Sequence, residues 1–285
     1  MGECIIRIIN LIDLPKPYSS ALKQAMERLE PFKNEIVCIG IAGSVSRGDD
    51  FIPGYSDIDL VVITRDEHVI EDIKKVIDEI NRAYYEVLRG MSPIEVRKDV
   101  ISLWIDSIDK VFSWLGRGCE YYNLMKNFIV IYGIDVRSKL RKPSEAELIL
   151  SALIVLRQIE RKMHGIKSVD LKSLNTISIG SLIFPLLRFY LCIKGFHTAS
   201  RREMIRILRE NKMFSEDEIE ALELVFKDMK SLKLRVDPEV NLKLYSLAMK
   251  IVREMESFKL KLKLIFYLLK SPRTLIEFLR RLLGK

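Results

Sequence analysis

Two strand-like stretches constrain this chain most: the continuous apolar run at residues 35–42 (EIVCIGIA) and the second strand candidate at 57–64 (DIDLVVIT). The first, a continuous apolar run, suits a strand covered on both faces. Between them lies a turn-rich stretch, 45–55, with Gly48, Asp49, Asp50, Pro53 and Gly54. Residues 93–103 (PIEVRKDVISL) and 128–134 (FIVIYGI) supply a third and a fourth strand candidate. Helical periodicity runs through 18–33, with Ser19 or Ser20 as its cap, and through 67–88. Residues 107–124 read as helical or mixed.

Past residues 136–143 the pattern changes. Segments 145–164, 174–194, 199–211, 215–232, 241–270 and 272–283 all carry helical periodicity, and strand signals nearly vanish. The alternating KLKLKL at 259–264 is also read as helix, because helices flank it. The boundary falls near residues 138–144. The expected fold class is an α+β N-terminal domain over 1–140, a mixed sheet flanked by helices, followed by an all-α helical bundle domain over 141–285.

Charge divides along the same line. Up to residue 142 there are 20 Lys and Arg against 22 Asp and Glu; the remainder holds 27 against 17. The basic half can attract polyanions, although a solvated Lys- and Arg-rich helical surface is the plainer reading. The cysteines Cys4, Cys38, Cys119 and Cys192 lie far apart, which argues against a structural zinc. It suits a reducing cytoplasm, where each is a small buried hydrophobe. The opening MGECIIRIINLIDLPKP lacks a basic leader and a small-residue cleavage site, so no signal peptide is expected. The longest apolar run, 177–193, is interrupted by Pro185 and Arg188 and reads as a buried core helix, not a transmembrane segment. Two glutamines amid abundant Lys, Glu, Arg, Ile and Leu give a thermophile-like composition.

The chemistry-bearing stretch is 42–62, AGSVSRGDDFIPGYSDIDLVV. A strand ends in Gly43-Ser44, where glycine lets a phosphate approach the backbone. Backbone N–H groups at a helix start, with the Ser44 hydroxyl, can hold phosphate oxygens. Twelve residues separate Ser44 from Asp57, and Asp57 and Asp59 lie two apart on an expected strand and so on one face. Such carboxylates repel unless a cation lies between them, and hard Mg²⁺ with oxygen ligands fits.

This segment resembles the signature of the DNA polymerase β-like nucleotidyltransferase superfamily. Gly43, Ser44, Asp57, Ile58, Asp59 and Leu60 match it, and Arg47 and Gly48 match the S-x-x-R-G form of antibiotic and minimal nucleotidyltransferases. The resemblance covers 35–135 well and the helical half poorly. It implies a third carboxylate on a later strand: Glu95, with Asp99 as the alternative. The implied activity is transfer of an NMP, AMP first, from an NTP to an acceptor hydroxyl with release of pyrophosphate. In that scheme Gly43 and Ser44 hold the β/γ-phosphates. Asp57, Asp59 and Glu95 bind Mg²⁺, with Mn²⁺ as the alternative metal. Glu95 can instead serve as base, and Arg47 neutralises phosphate charge.

The acceptor stays open between a small molecule, a protein and an RNA 3′ end, and a homodimer stays open as well. Competing readings are a non-catalytic or toxin–antitoxin-type binding protein of the same fold, and a HEPN-like ribonuclease. The latter rests on Arg157 and His164, seven apart in an expected helix. His68 and His197 are expected at the surface, Trp104 and Trp114 in the core or a domain interface. The basic segment 259–285 reads first as packing helices, then as an RNA or acidic-membrane surface.

Overall fold

In a computed structural model, the structure describes residues 14–48, 51–91, 99–108, 126–139, 148, 151 and 173–255. They divide into two compact units, 14–108 with 126–139, and 148, 151 and 173–255.

The first unit is a mixed four-stranded sheet with flanking helices. Helix α1 (Lys16–Leu29) leads through a 3₁₀ turn (Glu30–Phe32) into β1 (Ile36–Ala42). Short α2 (Gly43–Arg47) follows at once. Then come β2 (Ile58–Thr64), α3 (Ile70–Met91), β3 (Ile101–Ser107), β4 (Ile129–Gly133) and a 3₁₀ turn (Val136–Lys139). The sheet order is β3-β2-β1-β4. β1 runs antiparallel to β2 and to β4, and β2 parallel to β3. β1 and β2 are buried almost throughout, as the apolar run of β1 and the apolar stretch 60–63 of β2 require. Their side chains share one core with Ala21, Leu22 and Leu29 of α1 and Ile73, Ile77 and Ile80 of α3.

Three sequence expectations shift. α1 starts at Lys16, so Pro17 occupies its first turn and neither Ser19 nor Ser20 caps it; the Ser19 hydroxyl turns back to the Lys16 carbonyl at 3.1 Å. β2 begins at Ile58, leaving Asp57 one residue ahead of it. The third strand runs over Ile101–Ser107, beyond the end expected at 103 and without 99 and 100, while 93–98 lie outside the described residues. What selects that register is Asn81 of α3. Its amide donates to the Ile101 carbonyl at 3.0 Å and accepts from the Ile101 N–H at 2.9 Å, a buried side chain standing in for a strand neighbour.

The second unit is helical in its described residues: α4 (Thr176–Ile193), α5 (Arg201–Glu210), α6 (Glu216–Lys230) and α7 (Pro238–Met255). Asn175, Ser200 and Ser215 cap the first three through their side chains, and Ser215 with Glu218 forms a full capping box. α4 is apolar and long enough to cross a membrane, but 67% of it is buried inside the protein, where α5, α6 and α7 pack on it. At Gly180 a Cβ would lie 2.6 Å from Val225 Cγ1, so α4 and α6 approach each other through that glycine. Asp228, 1% exposed, accepts from the Thr176 hydroxyl at 3.0 Å and pairs with Arg235 at 3.2 Å, tying the end of α6 to the start of α4. The expected helix 145–164 and the segment 259–285 lie outside the described residues.

The cysteine expectation divides. Cys38 is a free, buried thiol, whereas Cys192 is disulfide-bonded, with its partner cysteine outside the described residues. His197 was expected at the surface; it is half-buried, with Nδ1 3.5 Å from the Cys192 sulfur. His68 is exposed, beside Asp66 at 3.9 Å.

Candidate active site

The antiparallel pairing of β1 and β2 sets Ala42 opposite Asp59. The next residue, Gly43, turns the chain into α2 with φ +69°, a conformation that disfavours any side chain. Space forbids one as well. A Cβ on Gly43 would sit 1.7 Å from Asp59 Oδ2. The start of α2 therefore lies directly against the Asp59 carboxylate. Gly48, at φ +71°, closes α2 by donating its N–H to the Ser44 carbonyl at 3.1 Å. Ser44 and Arg47 are half-buried, and Arg47 is the last residue of α2.

Asp59 is held from β3 too. The parallel register places Asp59 beside Ser102, so Trp104, two residues on, faces the same side. Its indole N–H donates to Asp59 Oδ1 at 3.3 Å. Trp104 is thus a positioning residue of the candidate site, not only the core or interface aromatic its sequence suggests.

Asp57 is fixed by the loop before it. The Gly54 N–H donates to the Tyr18 hydroxyl at 2.8 Å, and the Tyr18 ring meets Phe51 edge-on at 5.0 Å. Ser56 closes the turn, its N–H donating to the Ile52 carbonyl at 2.8 Å and its hydroxyl accepting from the Ile52 N–H at 3.0 Å. Burial, together with the negative charge of Asp57, pushes the Tyr18 hydroxyl above its usual pKa range, against the opposing effect of the Gly54 N–H. Asp57 itself is only 8% exposed. The sequence gives no sign of Tyr18, which lies 36 residues before Gly54.

The third carboxylate stands differently. Glu95 lies outside the described residues, as do Arg157, His164 and Trp114. Asp99, the alternative, is exposed and precedes β3. Asp106 is the acidic residue of β3, and its Oδ1 accepts from the Ser107 N–H at 3.0 Å, at the strand end away from Asp59. Among the described residues no group of three His, Cys, Asp or Glu converges as a ligand cluster. The two aspartates are a hard oxygen donor set, and the absence of a Cβ at Gly43 lets the Asp59 carboxylate lie against the start of α2. Both features fit a small divalent cation such as Mg²⁺.

No protein-family model and no curated protein sequence matches this chain. Solved structures do. A spectinomycin adenyltransferase from Enterococcus faecialis, solved with ATP and spectinomycin, aligns with a TM-score of 0.53 at 14% identity. The alignment covers 81% of this chain and 98% of that one. The fold is nucleotidyltransferase-like, with a helical C-terminal part.

Proposed function

We propose that this protein is a nucleotidyltransferase that moves an NMP, AMP first, from an NTP to an acceptor hydroxyl. The observation that carries this reading is the seating of Gly43 against the Asp59 carboxylate, a contact no other residue type permits. It joins the phosphate side of the motif to its acidic side. The adenyltransferase of similar fold, solved with ATP, supports the choice of nucleotide.

Each residue then has a task. The backbone at Gly43 and Ser44 holds the β/γ-phosphates, and Arg47 offsets their charge. Asp57 and Asp59 hold Mg²⁺, which when bound neutralises charge on the triphosphate. Trp104 fixes the Asp59 carboxylate plane, and the Tyr18–Gly54 contact fixes the loop ahead of Asp57. The acceptor oxygen forms a bond to the α-phosphorus, the bond to the β-phosphate oxygen breaks, and pyrophosphate leaves. The acceptor proton passes to a carboxylate, for which the family resemblance nominates Glu95.

The test is incubation with each α-labelled NTP and Mg²⁺ against aminoglycosides, tRNA and the protein itself. Label is expected on one acceptor class with the wild type and on none with Asp57→Asn/Asp59→Asn, whose urea unfolding stays native. Labelling that persists in the double variant sinks the assignment.

A further inference from the structure

The second unit carries an open groove between α5 and α6, with a volume of about 680 Å³. Its floor includes the apolar side chains of Ile205 and Phe226, both buried. Its walls are cationic. Arg202, Arg206 and Arg209 follow each other at four and three residues on α5, one face of the helix over about 10 Å. Lys227 and Lys230 stand three apart on α6. Against these five cations the lining has two carboxylates, Glu210 and Glu223.

The cations are of two kinds. Arg206 pairs with Glu210 at 3.1 Å, and Arg209 with Glu223 at 2.8 Å and Glu216 at 2.7 Å. These carboxylates hold the two guanidiniums in place. Arg202, Lys227 and Lys230 are exposed, and among the described residues none of their side chains has an ion-pair partner. Lys230 rests its ammonium 5.3 Å over the Phe226 ring, at the groove's lining. The uncompensated charge is thus spread along both walls instead of converging on one point.

We propose that this groove binds the phosphodiester backbone of a single-stranded nucleic acid. A row of like charges along a cleft suits a chain of phosphates better than a lone anion. A membrane surface fits poorly, because no exposed apolar side chain lines the groove for insertion. The proposal does not depend on the transferase reading.

The experiment is fluorescence anisotropy of the full chain with labelled oligouridylate, repeated over a series of salt concentrations. Oligodeoxythymidylate of equal length separates RNA from DNA as the source of the phosphodiester, since both satisfy the proposal. Arg202→Glu/Lys227→Glu/Lys230→Glu is expected to weaken binding at least tenfold. It should also flatten the slope of log affinity against log salt by about 2, the share of three phosphate contacts on a single strand. The milder Arg202→Gln/Lys227→Gln/Lys230→Gln should act in the same direction, and both variants should retain the wild-type melting curve. Affinity and slope unchanged in the Gln variant overturn the proposal, as does binding to phosphatidylserine vesicles with none to either oligonucleotide. Asp57→Asn/Asp59→Asn should bind the oligonucleotide as the wild type does, so loss of transfer and loss of groove binding remain separable.

Discussion

Replacing one Gly43 hydrogen by a methyl group puts carbon 1.7 Å from Asp59 Oδ2 in a backbone already at φ +69°. One of the two must move. The strand pairing of Ala42 with Asp59 makes the carboxylate the easier to displace. Gly43→Ala should therefore cut nucleotide transfer by about 100-fold, as misplacement of a reacting group by about 1 Å does. Its stability cost should stay near the 1–2 kcal/mol of a left-handed alanine. The measurement is initial transfer rate beside urea unfolding; wild-type rate in the variant would mean that the contact has no part in the chemistry. This residue pair was legible in the sequence, because a Gly-Ser turn and an Asp-apolar-Asp strand at fixed spacing can be read without a fold. Trp104 and Tyr18 were not. Each reaches the site from an element distant in sequence, 45 residues from Asp59 and 36 from Gly54. Only sheet register and helix packing bring them there.

The third strand shows how elements choose their bounds. Residues 93–103 and 101–107 both offer apolar positions suited to a strand, so periodicity alone does not separate them. The parallel pairing with β2 and the double hydrogen bond from Asn81 fix the register of 101–107, and this register delivers Trp104 to Asp59. Asn81→Ala strips both partners from the buried Ile101 backbone. It should lower unfolding free energy by about 3 kcal/mol and slow transfer through the loosened Trp104. A change below about 0.5 kcal/mol in urea would mean that Asn81 does not hold the strand. β1 carries a second element-scale consequence. Burial, with Asp135 adding to it, pushes the Cys38 thiol from 9.0 up to about 12. The native state thus keeps its proton where the unfolded chain loses it. This contribution to stability is fully present below pH 9 and is lost as pH rises toward 12. Between about pH 8 and about pH 10 the wild type should lose about 1 kcal/mol more stability than Cys38→Ala. Equal losses in the two proteins would show that the Cys38 thiol does not resist ionisation.

At the scale of the whole molecule, the helical character of the C-terminal part was readable because hydrophobic period differs between strands and helices. The polar ties within the helical unit were not. Asp228, Thr176 and Arg235 look like ordinary surface residues in sequence and are drawn together only when α6 packs on α4. The motif residues belong to the first unit, whose core is formed by its own strands and helices. A nucleotide that binds the native site and not the unfolded chain must therefore stabilise the fold by mass action. With Mg²⁺ present and ATP at 100 times its dissociation constant, the gain should be about 2.7 kcal/mol. EDTA should remove most of it, because Asp57 and Asp59 then repel the triphosphate without a bridging cation. Asp57→Asn/Asp59→Asn behaves differently. It lacks that repulsion, so any residual gain from ATP should no longer respond to Mg²⁺. Thermal or urea unfolding in the four combinations of nucleotide and chelator reads this out for both proteins. A Mg²⁺-dependent gain of equal size in wild type and double variant would move the metal away from these two aspartates.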